Sequence, residues 1–197
     1  DIGVTQTLIR YIAKYRASNK SDDDISILCH TIKLINYFVC ILCFLGGIIM
    51  FFIIPSLYSK SFDSSELKIA INIYFFFVGS IIFSLLSNYY TGIISGYEYF
   101  SFINITKTVR ILLRFISIFV FVYVFKSVYC LVVIDLTLSI INYLVYLLFE
   151  RKNINIKKSK EFVSRILMKE IAIYTLLIFI QSLVDQVNNN LDNIIIG

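Results

Sequence analysis

The stretch MKEIAIYTLLIFIQSLVDQVNNNLDNIIIG (Met168–Gly197) decides the fold class, because it begins as an apolar membrane helix and then turns polar along one side. At 100° per residue, a stripe of four polar residues falls within an arc of roughly 60°. These residues are Gln181, Asp185, Asn188 and Asp192. An unpaired carboxylate is costly at hydrocarbon depth, so this stripe is expected to face protein or water. The alternative is that the polar half has left the membrane and forms a solvated end or loop.

The composition places the whole chain in the membrane. Of its 197 residues, 58% are hydrophobic and 16% are charged, and the mean hydropathy is +0.82. Soluble domains carry roughly 25% charged residues. The chain is therefore predicted to be an all-α, polytopic transmembrane helix bundle. Because it starts at Asp1 and stops directly after an apolar triplet, we expect a fragment that lacks a first helix and a C-terminal half.

Six hydrophobic segments follow from the periodicity and the loop signals. Asp1–Ala17 is interpreted as the end of a helix, and the second span ends at the single proline, Pro55. The remaining segments are Ile69–Tyr90, Lys107–Phe125, Tyr129–Phe149 and Met168–Gly197. The predicted connections are a polar loop with an N-cap at Ser18–Asp24, a loop at Pro55–Lys68, a Gly-containing turn at Thr91–Asn104, a short link at Lys126–Val128 and a basic loop at Arg151–Arg165.

The distribution of Lys and Arg predicts the orientation. Fifteen of the 18 basic residues fall on one side of this arrangement, and only Lys60, Lys68 and Lys126 fall on the other. Positive charge is concentrated in cytoplasmic loops. Loops 18–25, 92–106 and 150–168 are therefore predicted to be cytoplasmic. The net charge of +5 is interpreted as a topology signal and an attraction to anionic lipid, not as a nucleic-acid interface.

Two groups of cations are candidates for binding an anionic ligand. Lys107, Arg110 and Arg114 share one helix face at i, i+3 and i+7. Arg10 and Lys14 share a face of the first segment. The alternative is that these side chains only anchor the helix ends by extending toward the membrane surface.

Polar stripes also run along two other segments. Asp135, Ser139, Asn142 and Tyr146 are spaced i, i+4, i+7 and i+11, and Asp135 is a carboxylate well inside an apolar span. Such residues usually face the interior of a bundle. Ser80, Ser84, Ser87 and Thr91 repeat the spacing, although their hydroxyls can simply bond to their own backbone.

The sequence contains no pattern typical of catalysis. There is no P-loop, metal-ligand constellation or acid–base pair, so we expect a protein that is not an enzyme and needs no cofactor or metal. Cys40 and Cys43 form a C-x-x-C pair within an apolar run and are interpreted as small buried hydrophobes. His30, the only histidine, is interpreted as an interfacial residue.

Three stretches resemble a known family. GVTQTLIRYIAKYRA (Gly3–Ala17) is similar to the end of the second helix of bacterial oligosaccharide and polysaccharide flippases, and LDNIIIG (Leu191–Gly197) is similar to the end of their seventh helix. ISGYEYFSFINI (Ile94–Ile105) resembles their cytoplasmic turn after the fourth helix, where many members have Arg at the position of Tyr99. These are the repeat-unit flippases for lipid-linked O-antigen and capsule precursors, within the multidrug/oligosaccharidyl-lipid/polysaccharide exporter superfamily.

This resemblance implies a MATE-like fold, with an inverted-V bundle around a central cavity and alternating access. Helices two to six would form the N-terminal lobe at 1–149, followed by a basic cytoplasmic linker at 150–167 and the first helix of the C-terminal lobe at 168–197. The implied cargo is a polyprenyl-diphosphate-linked oligosaccharide in the bacterial inner membrane.

The residues fit such a cargo. The five cations named above would bind the diphosphate, and the stripes on the fifth and sixth segments would line a wet cavity, where they bind sugar hydroxyls or exchange H⁺ or Na⁺. A cation-coupled multidrug exporter of the same superfamily would share the fold, and a structural membrane subunit would tolerate Ala or Leu in the stripes.

Overall fold

A computed structural model of the chain describes residues 3–58, 63–125, 129–156 and 161–196, without the side chains of 57–58, 64–65, 122–125, 183 and 189–196. The described residues form six α-helices and one short π-helical turn. The α-helices are α1 (Val4–Ala17), α2 (Asp22–Tyr58), α3 (Ser64–Gly96), α4 (Phe100–Phe125), α5 (Tyr129–Phe149) and α6 (Arg165–Ile196), and the π turn covers Glu150–Ile154. The predicted all-α, polytopic class is confirmed.

Four of the helices are long and apolar enough to cross a membrane, so the chain is a multi-pass membrane protein. Their membrane-compatible stretches are Asp22–Ser56, Glu66–Gly96, Tyr129–Ile154 and Arg165–Asn188. The fifth segment begins and ends at the predicted residues, Tyr129 and Phe149. The predicted link at 126–128 lies outside the described residues.

The helix starts are set by local capping. Ser21 Oγ accepts a hydrogen bond from the backbone N–H of Asp24 (3.2 Å), and the Asp24 carboxylate accepts one from the N–H of Ser21 (3.3 Å). This reciprocal capping box starts α2 at Asp22, so the predicted loop 18–25 is too long. Ser164 Oγ accepts from the N–H of Leu167 at the start of α6, three residues before the predicted start.

Two other predicted connections were wrong in extent. Pro55 lies inside α2, which runs to Tyr58, because a membrane helix near its end tolerates the lost N–H of a proline. The predicted turn at 91–104 shrinks to residues 97–99, since α3 continues to Gly96 and α4 begins at Phe100. Glu98 takes the left-handed conformation there, with φ 67°. The basic loop predicted from residue 151 begins with the π turn, and α6 begins at its last residue, Arg165.

The chain divides into two compact units. One comprises Asp1–Asn36, Asn88–Tyr99 and Glu150–Gly197, and the other comprises Tyr37–Ser87 and Phe100–Phe149. The predicted division at residues 149 and 168 concerns lobes of the longer family fold and stays a prediction.

In the first unit, α1 packs closely against α3 and α6. Gly92 and Gly96 lie one helical turn apart on α3, where a Cβ on Gly92 would meet Leu8 Cβ at 2.8 Å and one on Gly96 would meet Ile12 Cβ at 2.9 Å. Small residues at this spacing let helix backbones approach each other. Thr7 of α1 also shares a buried hydrogen bond with Thr175 of α6, at 2.9 Å between the hydroxyl oxygens. The two glycines are therefore packing residues rather than turn residues.

Candidate functional site

The candidate site lies in the second unit, where α4 packs along α5. It is a polar network of five residues, which we call the arginine network. The members are Ser80, Arg110, Arg114, Asp135 and Ser139. Ser80 comes from α3, the arginines from α4, and the remaining two from α5.

Arg114 and Asp135 form a two-point ion pair at the centre of the network. Arg114 Nε lies 2.7 Å from Asp135 Oδ1, and Nη2 donates to Oδ2 at 2.8 Å. This fork-to-fork geometry is the strongest way in which a guanidinium binds an oxyanion. The Arg114 side chain is still 54% exposed, whereas the Asp135 side chain is 31% exposed. The guanidinium can therefore be reached from outside the α4–α5 contact while its fork is occupied.

Arg110 lies one helical turn earlier on α4 and contacts the next polar residue of α5. Its Nη2 donates to Ser139 Oγ at 2.9 Å. Ser139 Oγ also lies 3.1 Å from Ser80 Oγ, which donates weakly to the backbone carbonyl of Asp135 at 3.5 Å. The network thus holds two guanidinium groups side by side and connects three helices.

The network is far from the start of α4. Because α4 begins at Phe100 rather than near Lys107, Arg114 lies 14 residues along the helix, which is about 21 Å at 1.5 Å per residue. Arg114 is therefore nearer to the middle of α4 than to its first residue, Phe100. Lys107 is exposed on the same face, close to the start of the helix.

Asn142 follows Ser139 on the same stripe of α5 and is 8% exposed. Its Oδ1 atom is buried without a hydrogen-bond partner among the described residues. A buried amide oxygen normally has a partner, so this acceptor is available to a donor outside the described chain. Tyr146, one turn further on, is buried against the ring of Phe102.

In the first unit, the predicted cations of α1 lie against aromatic rings. The guanidinium carbon of Arg10 lies 4.2 Å from the ring centroid of Tyr174 on α6, and Lys14 Nζ lies 5.9 Å from the ring of Tyr11. Tyr11 donates to Glu170 Oε1 at 3.0 Å. A cation over an aromatic face stabilises the α1–α6 contact. Both cations are exposed, and their diphosphate role stays a prediction.

A second cation of α1 packs against the short turn after α3. Arg16 donates to the Gly96 carbonyl at 3.3 Å and its guanidinium carbon lies 5.0 Å from the Tyr97 ring. Burial raises the pKa of Tyr97, so its phenol stays neutral at ordinary pH. Arg16 is thus part of the packing of α1 onto the end of α3.

The polar stripe of α6 is helical throughout. Gln181, Asp185 and Asn188 are exposed, and the side chain of Asp192 lies outside the described residues. A helix to Ile196 rules out the alternative in which the polar half is an irregular loop. The stripe belongs to the first unit and the arginine network to the second, so the predicted pairing of α6 with Asp135 and Ser139 across a cavity stays a prediction.

Two serines of the α3 stripe have the two different roles expected from the sequence, one in a polar network and one bonded to its own helix backbone. Ser80 joins the arginine network, whereas Ser87 donates to the carbonyl of Phe83 in its own helix at 2.9 Å. Periodicity placed both residues on one face, and their roles differ because Ser80 contacts Ser139. Tyr174 is a candidate that the sequence did not single out.

The described residues contain no group of three His, Cys, Asp or Glu side chains that could hold a metal ion. Cys40 is buried and Cys43 is half-buried, and both are free thiols. His30 packs against the Phe162 ring, with the ring centroids 5.3 Å apart.

The family follows from a comparison with known protein families. The model of the polysaccharide biosynthesis protein family matches residues 1–197. The chain therefore belongs to this family, in agreement with the resemblance seen in its motifs. No curated protein and no solved structure matches the chain.

Proposed function

We propose that this chain is part of a flippase that moves a polyprenyl-diphosphate-linked oligosaccharide across the bacterial cytoplasmic membrane by alternating access. Membership of a polysaccharide biosynthesis family and several membrane-spanning helices support this proposal. The transport breaks no covalent bond, so the protein is not an enzyme. The chain segments 18–25, 92–106 and 150–168 face the cytoplasm, as the distribution of basic residues indicates.

One observation carries the proposal, namely the pair of guanidinium groups in the arginine network. Arg110 and Arg114 lie one turn apart and are held in place by Ser139 and Asp135. A diphosphate offers several oxyanions, and two adjacent forks bind them with charge-assisted hydrogen bonds. The Asp135 carboxylate occupies Arg114 until the diphosphate arrives. Lys107, Arg10 and Lys14 attract the anionic headgroup toward the site.

Replacement of Asp135 by the diphosphate at Arg114 also links transport to the binding of an ion. When the diphosphate displaces Asp135, a carboxylate loses its partner in partly desolvated surroundings. A coupling cation, H⁺ or Na⁺ in this proposal, then balances the charge of this carboxylate. Return of Asp135 to Arg114 then expels the diphosphate on the other side. Ser139 and Asn142 bind sugar hydroxyls next to the network.

A cation-coupled multidrug exporter is the second candidate in the same superfamily. In such a transporter Asp135, Asp185 or Asp192 would be functional without a need for the arginines. Asp135 is instead held by Arg114, at 2.7 and 2.8 Å, and the α4 face is cationic. This arrangement favours an anionic cargo over a cationic one.

The test is Arg114→Ala in cells that depend on the full-length protein for surface polysaccharide. We expect export to stop and the lipid-linked precursor to accumulate, with the protein level in the membrane unchanged. Phe115→Ala is the matched control, because Phe115 is the next residue and is 70% exposed. Normal polysaccharide export in Arg114→Ala would reject the proposed role of the network, and equal loss in both variants would indicate a folding effect.

A further inference from the structure

An apolar cavity of about 510 Å³ lies between α2 and α3 in the second unit. Its wall includes Ile48, Phe76 and Ile82, and Leu136 of α5. Cavities of this size are typical of sites for small molecules. The Tyr74 hydroxyl is the polar group of the lining, and it donates to the backbone carbonyl of Gly47 at 3.0 Å. The cavity therefore offers hydrocarbon surface and few free hydrogen-bonding groups.

The cavity adjoins the arginine network along α3 and α5. Gly79 and Leu136 line the cavity, and the residues that follow Gly79 and precede Leu136 are Ser80 and Asp135 of the network. Leu136 Cδ1 would lie 3.3 Å from a Cβ on Gly79, so α3 and α5 touch at this point. Two surfaces of opposite chemistry are thus placed next to each other on α3 and α5, the arginine network and the aromatic, aliphatic cavity.

We propose that the cavity binds the isoprenoid chain of the cargo, at the end next to the diphosphate. This inference rests on the proposed function, since it needs the diphosphate at Arg110 and Arg114. A ligand that uses both surfaces must carry an anionic head and an apolar chain in one molecule. A polyprenyl diphosphate has this chemistry, and its branched apolar units suit a cavity lined by Phe and Ile side chains.

The position of the cavity also indicates the stage of transport at which it would hold the isoprenoid chain. From the level of Gly79, the lining extends along α3 toward Tyr74 and along α2 toward Phe52. These helix ends lie on the side that the basic residues assign to the outer face. The cavity therefore receives the chain while the headgroup moves outward, and it keeps the chain beside the network until release.

The experiment is photolabelling of the full-length protein in lipid nanodiscs. One probe is a polyprenyl diphosphate with a diazirine in the isoprene unit nearest the diphosphate, and the other is phosphatidylglycerol with a diazirine in an acyl chain. Labelled peptides are located by mass spectrometry. We expect the polyprenyl probe to label the cavity lining, and unlabelled polyprenyl diphosphate to displace it where excess phosphatidylglycerol does not.

Two filling variants and two matched controls test the position. Ile48→Trp and Ile82→Trp place a large ring in the cavity, whereas Ile49→Trp and Ile81→Trp add the same ring at exposed neighbours outside its lining. Each filling variant should reduce cavity labelling about tenfold, which corresponds to a loss of roughly 1.4 kcal/mol in binding. The controls should label like the wild type. Two independent pairs keep the test decisive if one variant does not fold.

Equal cavity labelling by phosphatidylglycerol, without displacement by polyprenyl diphosphate, would show bulk lipid in the cavity and overturn the proposal. Labelling that is insensitive to both filling variants would overturn it as well. Failure here is distinct from failure of the proposed function. If cavity labelling is absent while Arg114→Ala still stops export, the assignment of the cavity is rejected and the proposed flippase function is retained. If the cavity is labelled while Arg114→Ala exports normally, the role of the arginine network falls.

Discussion

Arg114 of α4 and Asp135 of α5 are joined at two points, with 2.7 Å between Nε and Oδ1 and 2.8 Å between Nη2 and Oδ2. The pair connects the cationic face of α4 to the largely apolar helix α5, and an unpaired charge is costly in apolar surroundings. Each residue therefore stabilises the other, and any ligand for Arg114 must also provide for Asp135. Variants of the two residues can therefore distinguish the effect of the pair on folding from its effect on transport.

The first prediction is that reversing the pair restores stability but not transport. Arg114→Asp and Asp135→Arg should each lower the thermal unfolding temperature, and the double variant should recover most of the loss. Because the side chains are 54% and 31% exposed, we expect a coupling free energy near the lower end of about 0.5–3 kcal/mol. Export should stay low in the double variant, since the cation has moved from α4 to α5. Full export in the double variant would contradict a specific role of the cation on α4.

The second prediction compares Arg and Lys at the two arginine positions. Arg114→Lys should reduce export about tenfold, equivalent to roughly 1.4 kcal/mol, because an ammonium group cannot reproduce the two-point contact. Arg110→Lys should have a smaller effect, since Arg110 has a single contact with Ser139 in the network. Export assays at matched membrane protein levels measure the difference. Export at the wild-type level in both Lys variants would mean that only the positive charge matters at Arg114.

The third prediction concerns topology. A Cys at Ser59 should react with an impermeant maleimide in intact cells, whereas a Cys at Asn155 should react only after permeabilisation. The charge distribution places the first position outside and the second in the cytoplasm. Cys29 and Cys40 are buried, but Cys43 and Cys130 are half-buried, so all four are replaced by Ala in the background protein. The reverse labelling pattern would invert the orientation of the chain.

Local sequence patterns predicted the elements better than their ends. The limits of α5 follow from a largely apolar run that ends before the charged Glu150. The end of α2 was wrongly predicted at Pro55, because tolerance of proline depends on the surroundings of the helix. The glycines of the predicted turn at 91–104 lie inside α3, because their role also depends on a neighbouring helix. Only the approach of α1 explains Gly92 and Gly96, and that contact joins residues more than eighty positions apart.

The candidate site shows the same limit. Helical periodicity placed Arg110 and Arg114 on one polar face, and Asp135 and Ser139 on another. It could not tell which faces meet, because the pairing of α4 with α5 depends on the packing of all their side chains. The contact between Arg114 and Asp135 was not foreseen, and the predicted cavity lined by the stripes of α5 and α6 stays a prediction.

The fourth prediction tests the α6 stripe independently of the network. Asp185→Asn should reduce transport with folding preserved, and Asp185→Leu should reduce it further, because the amide keeps hydrogen bonding to sugar hydroxyls whereas leucine removes it. Val184→Leu is a suitable control, since Val184 is an exposed apolar neighbour on the same helix. Full activity in the Asp185→Asn, Asp192→Asn double variant would leave α6 as a structural helix. Loss of activity in Val184→Leu would point to packing instead.

The last prediction uses three glycines that sit within helices but in different surroundings. Gly46 has no heavy atom within 4 Å of the position of a Cβ, so Gly46→Ala should raise the free energy of unfolding by about 0.5–1 kcal/mol through lower backbone entropy. Gly92→Ala places its methyl group 2.8 Å from Leu8 Cβ and 3.1 Å from Thr5 Cα, and should lower that free energy by about 1–3 kcal/mol, as overpacking does. Gly96→Ala should behave like Gly92→Ala, since its Cβ meets Ile12 Cβ at 2.9 Å. Thermal unfolding of the three variants in one detergent measures the contrast, and equal shifts at all three positions would show that close packing of α1 on α3 does not determine the stability of this unit.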